Sequence, residues 1–520
     1  MTDSDFQKIE DYDVSREEDE EEKLEDYIVE ADNVPALITV EDSGGYVPKY
    51  YLKRPEPSPA TQAILDDIRQ RSIDEAEITS DSFEDANEME KARKIFRDKA
   101  KEIMEDEIPN ITDDKADTLI GNLIHEMLGM GDVEILISDD KLEEIVINNS
   151  DEPAWVYHKE YGWLKTNITF DSEKELYNYA SEIGRGIGKN ISSLHPLLDA
   201  HLPTGDRTNA TLNPISTKGN TITIRKFARD PWTITDFINI GTISPEIAAF
   251  IWECIQYEMN VVISGGTGSG KTSMLNVFTP FMPPSQRIIS IEDTRELSLP
   301  DFLHWVPMTT REESPNSQGE VSMQDLLVNS LRMRPDRILV GEIRRKEQAE
   351  VLFEAMQTGH SVYSTLHADT AETTIKRMVN PPIDVPETVV GAVDLNVVMF
   401  RDRRRNYRRV LEVAEVIDEG DDIKPNTIYD WDSGEDIFYK EGESREVLDK
   451  LSQLTGMSEE DIQEDIEEKK EILNWLVENE VDDLERVGRV VAEYYSDEDG
   501  EVLEKIRENK EPEDVITIEQ

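Results

Sequence analysis

The sequence predicts an α/β protein whose central domain is a parallel β-sheet covered by helices. Residues 246–400 alternate apolar strand-like runs with helical stretches, an alternation that is typical of β-α-β units. A glycine-rich sequence follows the first apolar run, at the place where a phosphate-binding loop joins a strand to a helix. The flanking segments differ in composition and predict an α+β N-terminal domain and a helical C-terminal appendix.

The elements are predicted from composition and from the spacing of apolar residues. Acid-rich sequence at the N-terminus favours disorder, and short β-like runs with one helix favour a small α+β domain. The predicted segments are an acidic, largely disordered extension (1–85), a helical segment (86–130), the α+β domain (131–230), a linker (231–245), the α/β domain (246–420) and an acidic helical C-terminal region (421–520).

The chain is strongly acidic, and the acidity is concentrated at its two ends. Among 520 residues, 114 Asp and Glu against 55 Lys and Arg give a formal net charge of −59. Residues 111–418 carry −16, whereas the two ends together carry −43. Such a surface repels phosphate backbones, so we expect no nucleic-acid partner. Adaptation to a salt-rich cytoplasm is the favoured explanation, and partner-binding ends are the alternative.

Other features of the sequence exclude whole classes of protein. No apolar run approaches the ~18 residues of a transmembrane helix. The N-terminal sequence lacks the basic start and apolar core of a secretory signal. The single cysteine, Cys254, excludes an intramolecular disulfide and a multi-cysteine zinc site. These observations predict a cytoplasmic protein.

The clearest chemical motif is the run from Gly265 to Thr272, which matches G-x-x-x-x-G-K-[ST] between an apolar strand and a helix. Successive glycines let backbone N–H groups wrap phosphates, Lys271 reaches the β and γ phosphates, and the Thr272 hydroxyl is offered to Mg²⁺. The motif therefore predicts ATP and Mg²⁺ as cofactors. The residues predicted to bind ATP are Gly265, Gly266, Thr267, Gly268, Ser269, Gly270, Lys271, Thr272 and Ser273.

Two acidic strand ends complete the predicted site. The hydrophobic strand 337–342 ends in Glu342, which predicts a second Mg²⁺-ordering group beside Thr272. Gly341 stands where an Asp is usual in that motif. The run 291–296 places three carboxylates at another strand end, where one of them orients a water. A solvated acidic turn is the alternative interpretation of that run.

Two histidines, His360 and His367, flank a further strand. Metal ligation is a poor interpretation because no third ligand is close in the sequence. A γ-phosphate sensor is the functional interpretation, and a purely structural histidine is the alternative.

These motifs, in this order and spacing, resemble the secretion ATPase superfamily, which drives type II and type IV secretion, type IV pili and the archaeal motility filament. The resemblance covers about 130 to 420 and includes the runs 291–297, 334–344 and 358–370. It implies a RecA-like P-loop ATPase domain behind a mobile N-terminal domain, assembled as a homohexamer. It also implies that Glu296 is the general base and that Glu342 supports Mg²⁺, with Glu292 as the competing base. His367 then belongs to the family's His box.

The same resemblance supplies arginines that act on the phosphates in trans or from the N-terminal domain. The segments 201–210 and 222–227 match the end of that domain and indicate Arg207 and Arg225. Arg311 is the third candidate. An arginine of this kind is worth ~10³–10⁵ in rate in other phosphate-transfer systems. A structural salt bridge is the alternative for each of the three.

The C-terminal segments resemble the tail of the archaellum motor ATPases, and the acidity suggests a halophilic archaeon. That resemblance implies a motor that acts on a polytopic membrane platform protein, with accessory cytosolic motor subunits, at the inner face of the cell membrane. Archaeal type IV pilus ATPases are the alternative. A nucleic-acid translocase is disfavoured by the charge, and a non-hydrolysing subunit is disfavoured by the intact motifs.

Residues 401–409 hold six arginines in an otherwise acidic region. The structural interpretation is a β-turn whose arginines pair with neighbouring acids. The functional hypothesis is a docking patch for acidic loops of the platform protein or for anionic lipid headgroups.

Overall fold

The computed structural model describes residues 22–42, 44–55, 57–76, 86–108, 111–202, 205–227, 231–311, 319–405, 407–419, 423–497 and 499–516. The chain divides into two compact units. The first comprises residues 1–229 and 314–317, and the second comprises 230–313 and 318–520. No helix within the described ranges is both long enough and apolar enough to span a membrane.

A mainly antiparallel sheet, nine-stranded over the described residues, forms the first unit. Its strands are β1 (Glu22–Ala31), β2 (Val34–Asp42), β3 (Lys49–Lys53), β4 (Leu142–Ile147), β5 (Trp155–His158), β6 (Gly162–Thr166), β7 (Leu197–His201), β8 (Arg207–Thr211) and β9 (Thr221–Arg225). Their spatial order is β1-β2-β3-β6-β5-β4-β9-β8-β7. The β3–β6 pair is parallel, and the other neighbouring pairs are antiparallel.

Alternating burial along these strands shows that one face of the sheet holds the core. In β2, for example, Val34, Ala36, Ile38 and Val40 are all fully buried. The helices of this unit are α1 (Pro59–Ala76), α2 (Ala86–Glu107), α3 (Asp113–Leu128), α4 (Val133–Ser138) and α5 (Glu173–Gly186). Apolar residues of α1, α2 and α3 form a hydrophobic cluster of their own.

The prediction of disorder over 1–85 is wrong for residues 22–42, 44–55 and 57–76, which form strands and a helix, and the rest of the segment lies outside the described residues. β1 and β2 form a hairpin whose register runs from Glu22↔Asp42 to Ala31↔Val34. Its turn residues, Asp32 and Asn33, have φ of 50° and 68°, the left-handed pair that a type I′ turn requires. The acid-rich composition of the N-terminal residues favoured disorder and concealed the apolar alternation of β2, in which Val34, Ala36, Ile38 and Val40 are buried.

A sheet that is parallel over most of its width forms the second unit. Its strands are β10 (Val261–Gly265), β11 (Arg287–Glu292), β12 (His304–Thr309), β13 (Arg337–Glu342), β14 (Ser361–Leu366), β15 (Leu395–Asp402), β16 (Tyr407–Asp418), β17 (Ile423–Asp432) and β18 (Ile437–Lys440). The spatial order is β12-β11-β13-β14-β10-β15-β16-β17-β18. The run from β12 to β15 is parallel, and β16, β17 and β18 add to it antiparallel.

Helices follow most of the parallel strands, so the α/β prediction is confirmed. These helices are α6 (Ile234–Asn239), α7 (Pro245–Gln256), α8 (Lys271–Val277), α9 (Met323–Ser330), α10 (Lys346–Gln357), α11 (Ala371–Val379) and α12 (Glu387–Val390). The C-terminal helices are α13 (Glu446–Thr455), α14 (Glu459–Glu478), α15 (Leu484–Ser496), α16 (Glu501–Arg507) and α17 (Pro512–Val515). Strands β10 and β14 are buried along their whole length, which is expected of central strands covered on both faces.

The chain on either side of the α/β core differs from the prediction. The expected linker 231–245 contains α6, which begins with a capping box between Thr233 and Asp236. The expected helical region 421–520 begins with β17 and β18, which extend the sheet. β18 has only four residues, of which Ile437, Tyr439 and Lys440 are exposed, so it carries no alternation of buried and exposed positions from which a strand could be predicted.

The C-terminal helices share one hydrophobic core with α7 and are therefore part of the second unit rather than an appendix. The Trp252 indole N–H donates to the Tyr495 hydroxyl at 2.7 Å, and that hydroxyl donates to the Phe281 carbonyl at 2.6 Å. Lys469 is fully buried and forms ion pairs with Glu253 and Asp465. Burial raises the pKa of Glu253 to about 7. The ion pairs of Lys469 therefore join α14 to α7 by charge as well as by packing.

Candidate functional site

The glycine-rich loop joins the end of β10 to the start of α8. Gly265, Gly268 and Gly270 have φ of 154°, 71° and 92°, a conformation that side-chain-bearing residues rarely adopt. A Cβ on Gly265 would lie 2.5 Å from the Met399 carbonyl oxygen, so the loop also requires glycine for space. The loop therefore has the backbone that a phosphate-binding cradle needs.

Side chains of the loop turn back onto its own backbone. The Gly266 carbonyl accepts hydrogen bonds from Ser269 Oγ at 2.9 Å and from Lys271 Nζ at 3.0 Å. The Lys271 ammonium is thereby held over the loop rather than extended into solvent. Thr272 and Ser273 follow in the first turn of α8 and are half-buried. The roles of Lys271 as a phosphate-binding lysine and of Thr272 as a Mg²⁺-facing hydroxyl stay predictions.

The parallel strand order brings the predicted carboxylates to the edge of the sheet that holds this loop. β11 ends at Glu292, β13 ends at Glu342, and β10 ends where the loop begins. Because the carboxyl ends of parallel strands lie at one edge, these groups share it. His367 follows β14 at the same edge, and its Nε2 lies 3.0 Å from Thr267 Oγ1. His360 lies at the opposite end of β14, where its Nδ1 contacts Thr358 Oγ1 at 3.1 Å.

Glu292 differs from an ordinary exposed carboxylate in two respects. Its side chain is buried, and that burial raises its pKa to about 7. Its Oε1 accepts the backbone N–H groups of Glu296 and Leu297 at 2.8 and 3.1 Å. Its Oε2 is buried and has no hydrogen-bond partner among the described residues. Glu292 therefore fixes the turn that carries Glu296, which is itself half-buried.

Glu342 is held by an arginine that the sequence analysis did not identify. Arg344 donates to Glu342 Oε2 from Nε at 3.0 Å and from Nη2 at 2.8 Å, and it also contacts Asp293 at 3.3 Å. The sequence signal for this contact was an arginine two residues after Glu342, the acidic residue at the end of β13. The position of Arg344 keeps two carboxylates of the site paired with a cation.

The residues present fit a Mg²⁺ ion that is bound together with a nucleotide. No group of three or more His, Cys, Asp or Glu within the described residues could hold a metal ion without other ligands. Mg²⁺ is usually bound by one or two protein oxygens plus substrate phosphates and waters. Thr272 and Glu342 supply oxygens of that kind at the edge where the glycine loop would place the phosphates.

The three predicted arginines are distributed over both units. Arg207 and Arg225 stand directly opposite each other on β8 and β9 of the first unit, and both are exposed. Arg207 contacts Asp199 through Nε at 3.2 Å and Nη2 at 2.8 Å, and Arg225 stands opposite Glu144 in the register with β4. Arg311 belongs to the second unit and donates from Nε to the Gly319 carbonyl at 3.0 Å.

The arginine cluster of 401–409 forms the β15–β16 hairpin, and its members have three different environments. Arg403, Arg404 and Arg405 are exposed at the turn. Arg409 is buried and pairs with Asp436, whose pKa its hydrogen bonds lower to about 2. Arg408 Nε donates to the Gly268 carbonyl at 3.2 Å, and Arg401 lies beside the same glycine. Two of the six arginines thus face the glycine loop and one is buried, and the docking patch stays a prediction for the exposed Arg403, Arg404 and Arg405.

The chain is similar in sequence to proteins of a known family. Residues 126–393 match the family model described as "Type II/IV secretion system protein". The uncharacterized protein MJ0900 of Methanocaldococcus jannaschii is 36% identical over 392 residues, which are 73% of this chain and 70% of the relative. The type IV secretion system protein PtlH of Bordetella pertussis is 29% identical over 264 residues, which are 46% of this chain and 77% of PtlH.

Among solved structures, the VirB11 ATPase of the Brucella suis type IV secretion system, in complex with sulphate, is 25% identical. The match covers 54% of this chain and 90% of that chain, with a TM-score of 0.28. The structural likeness is weak, so the family assignment rests on the sequence matches.

Proposed function

Because the chain belongs to the family of type II/IV secretion system proteins, we propose that it is an ATPase that powers assembly, and with it rotation, of the archaellum. The observation that carries the ATPase assignment is the convergence of the glycine loop, Lys271 and Glu342 at one edge of a parallel sheet. The reaction is hydrolysis of ATP to ADP and phosphate.

The glycine loop and Lys271 bind and orient the phosphates. Backbone N–H groups between Gly265 and Thr272 hold them, and the Lys271 ammonium neutralises charge on the β and γ phosphates. Bound Mg²⁺ would neutralise phosphate oxygens as the γ-phosphoryl group leaves. Thr272 and Glu342 are the residues that would hold it. Arg344 must then share Glu342 with the ion or swing toward Asp293, which it already contacts.

Glu296 is the proposed general base, and Glu292 is the proposed positioning carboxylate. Glu292 cannot easily turn toward a water, because Oε1 is fixed by two backbone N–H groups. Glu296 lies on the turn that those bonds hold, with a half-buried side chain. The raised pKa of Glu292 keeps the competing assignment open to test, because a base with a pKa near 7 is well matched to neutral pH.

Arginines complete the proposed site in a homohexamer. Arg207, Arg225 and Arg311 are the candidates that would stabilise charge on the phosphates, in trans or from the N-terminal unit. The two residues Arg207 and Arg225 stand opposite each other on adjacent strands and both are exposed, which supports this role. His367 is proposed to sense the γ-phosphate through its contact with Thr267.

The motor reaction would act on a polytopic membrane platform protein at the cytoplasmic face of the membrane, with accessory cytosolic subunits. The archaeal relative MJ0900 and the acidity of the chain support an archaeal system in a salt-rich cytoplasm. The type IV secretion protein PtlH favours a second candidate, an archaeal type IV pilus assembly or secretion ATPase.

The ATPase is tested by phosphate release from the purified full chain. We expect hydrolysis by the wild type and a loss of about 10²–10³-fold in Lys271→Ala, the scale of removing one preorganised charge-stabilising donor. The matched control is Lys346→Ala, because Lys346 is a lysine of the same unit that pairs with Asp384. Equal activity in Lys271→Ala and the wild type would refute the site. Strong stimulation by DNA would support a nucleic-acid translocase instead.

The filament is tested by deleting the gene in the source organism and scoring swimming and surface adhesion separately. Loss of swimming alone is the expected result. Loss of adhesion alone would overturn the archaellum assignment in favour of pili.

A further inference from the structure

The β15–β16 hairpin brings two arginines to the tip of the glycine loop from within the same unit. Arg401 on β15 and Arg408 on β16 stand directly opposite each other in the hairpin register. Arg408 donates its Nε hydrogen to the Gly268 carbonyl at 3.2 Å. Two positive side chains of one hairpin therefore lie against one residue of the proposed phosphate-binding loop.

The packing around Gly268 and Gly270 shows how closely the hairpin follows the loop. A Cβ on Gly268 would lie 2.6 Å from Arg401 Nη1, so any side chain there would displace the arginine. A Cβ on Gly270 would lie 3.3 Å from Arg408 Cδ. Between them, the two arginines cover the loop on the side that faces β15 and β16.

We propose that Arg401 and Arg408 are positioning residues that hold the tip of the glycine loop in its nucleotide-binding conformation. A peptide group is planar, so the Gly268 carbonyl and the Ser269 N–H point in opposite directions. A hydrogen bond that holds the carbonyl toward β16 also keeps the Ser269 N–H on the other side of the peptide, where it donates to the Gly266 carbonyl at 3.3 Å and so holds the turn of the loop. The inference rests on the proposed function, because it assigns these arginines to the same ATP site.

The hairpin also offers a matched internal control. Arg404 belongs to the same arginine cluster but is exposed at the turn, and its backbone N–H donates to Asp402. Replacing Arg404 removes the same charge from the same hairpin without touching the loop. A purely electrostatic effect of the cluster would lower nucleotide affinity in both variants, whereas a positioning effect is confined to Arg408 and Arg401.

The first experiment measures steady-state ATP hydrolysis by the full chain. We expect Arg408→Ala to raise KM for ATP about tenfold, the equivalent of one hydrogen bond to a charged group, while kcat changes by less than about twofold. Arg408→Lys should recover part of the loss because an ammonium can also donate to the carbonyl, and Arg408→Gln should recover less. Arg404→Ala should leave KM unchanged. An unchanged KM in Arg408→Ala, or an equal rise in Arg404→Ala, would overturn the proposal.

The second experiment does not depend on ATP turnover. Hydrogen exchange of the amides of 265–270 is measured without nucleotide in the wild type, Arg408→Ala and Arg404→Ala. We expect faster exchange in Arg408→Ala alone, and unchanged exchange would overturn the positioning role. A wild type with slow exchange but no ATP hydrolysis would instead count against the proposed function, so the two failures are distinguishable.

Discussion

The two sheets of the described chain differ in where their reactive side chains are accessible. Strands β10 and β14 of the second unit are buried along their whole length, so reactive groups are accessible at the ends of its strands. Strands β8 and β9 of the first unit alternate buried and open positions, so side chains are displayed along them. A sheet covered on both faces concentrates a site at one edge, whereas a one-sided sheet presents a surface.

The charged residues of the two candidate sites follow the same division. The second unit buries Glu292 at the site and a Lys469 ion pair in its core. The first unit places Arg207 and Arg225 on an exposed face with Asp199 and Glu144 alongside. Buried charges are expensive to leave unpaired, and exposed ones contribute little to stability. We therefore expect substitution of Arg207 and Arg225 to change kcat with little loss of stability, and substitution of Lys469 to lower the free energy of unfolding.

The largest expected effect is a loss of kcat on substitution of two exposed arginines in the first unit. In the double variant Arg207→Ala and Arg225→Ala, we expect kcat to fall by about 10³-fold or more, the scale of a lost arginine finger. The free energy of unfolding should change by about 1 kcal/mol or less per arginine, because exposed ion pairs are weak. Phosphate release and urea unfolding measure the two quantities.

Arg185→Ala is the control, since Arg185 is exposed on α5 of the same unit. Full activity of the double variant would confine the chemistry to the second unit and leave Arg311 as the remaining arginine candidate.

The second largest effect, also on kcat, is expected for the carboxylates that follow β11 in the second unit. Glu296→Gln should lower kcat by about 10²–10⁴-fold, because it removes the proposed general base. Glu292→Gln should lower it less, because the amide oxygen of Gln can still accept the N–H groups of Glu296 and Leu297. Single-turnover measurements with saturating ATP separate this effect from binding.

A larger loss in Glu292→Gln than in Glu296→Gln would reverse the two assignments. The pH profile of kcat gives a second criterion, because a base with the pKa of Glu292, about 7, would produce a rise in rate near neutrality.

The third prediction concerns the ion pair in the core of the second unit. Lys469→Met should destabilise the chain by about 3–5 kcal/mol, because Glu253 would remain buried without its partner. The double variant Lys469→Met and Glu253→Gln should be more stable than Lys469→Met alone. Urea unfolding is the measurement, and Lys376→Met, which removes an exposed pair with Glu372, is the control. Equal stabilities of Lys469→Met and the control would show that the pair is not coupled to folding.

The smallest effect is the pH dependence that Glu292 contributes to stability. Burial raises its pKa from 4.5 to about 7, so the protonated form is favoured in the folded chain. The stability that this group contributes is complete below pH 4.5 and is lost as the pH rises through 7, by about 3 kcal/mol at most. Glu292→Gln should therefore flatten the decline between pH 5 and pH 8.

Unfolding by urea at several pH values provides the measurement. Glu253 titrates in the same range in both proteins, so the difference between variant and wild type is the informative quantity. A decline of the same size in both would contradict the prediction.

The sequence predicted the parts of the molecule that depend on local pattern. The glycine loop needs particular residues at fixed spacing, and the alternation of strands and helices gave the α/β class. The β1–β2 hairpin was missed because the acid-rich composition of this segment favoured disorder, although Asp32 and Asn33 carried the turn signal.

Contacts between distant segments could not be predicted. Arg408 and Gly268 are 140 positions apart, and their contact depends on the register of β15 and β16. Arg344 was missed for another reason: an arginine two residues after an acid is common, and only the bend at the end of β13 turns it back onto Glu342.

The ion pair between Glu253 and Lys469 joins residues that are 216 positions apart. During synthesis, α7 therefore leaves the ribosome well before the helix that covers it. At about 5–20 residues per second, that interval is roughly 10–40 s, in which Trp252 and its neighbours lack their final partners. The nascent chain thus passes through a vulnerable period that ends only when α14 and α15 are translated. Premature termination in this region would leave a polypeptide with an intact nucleotide loop but no completed core, a natural substrate for chaperones and proteases.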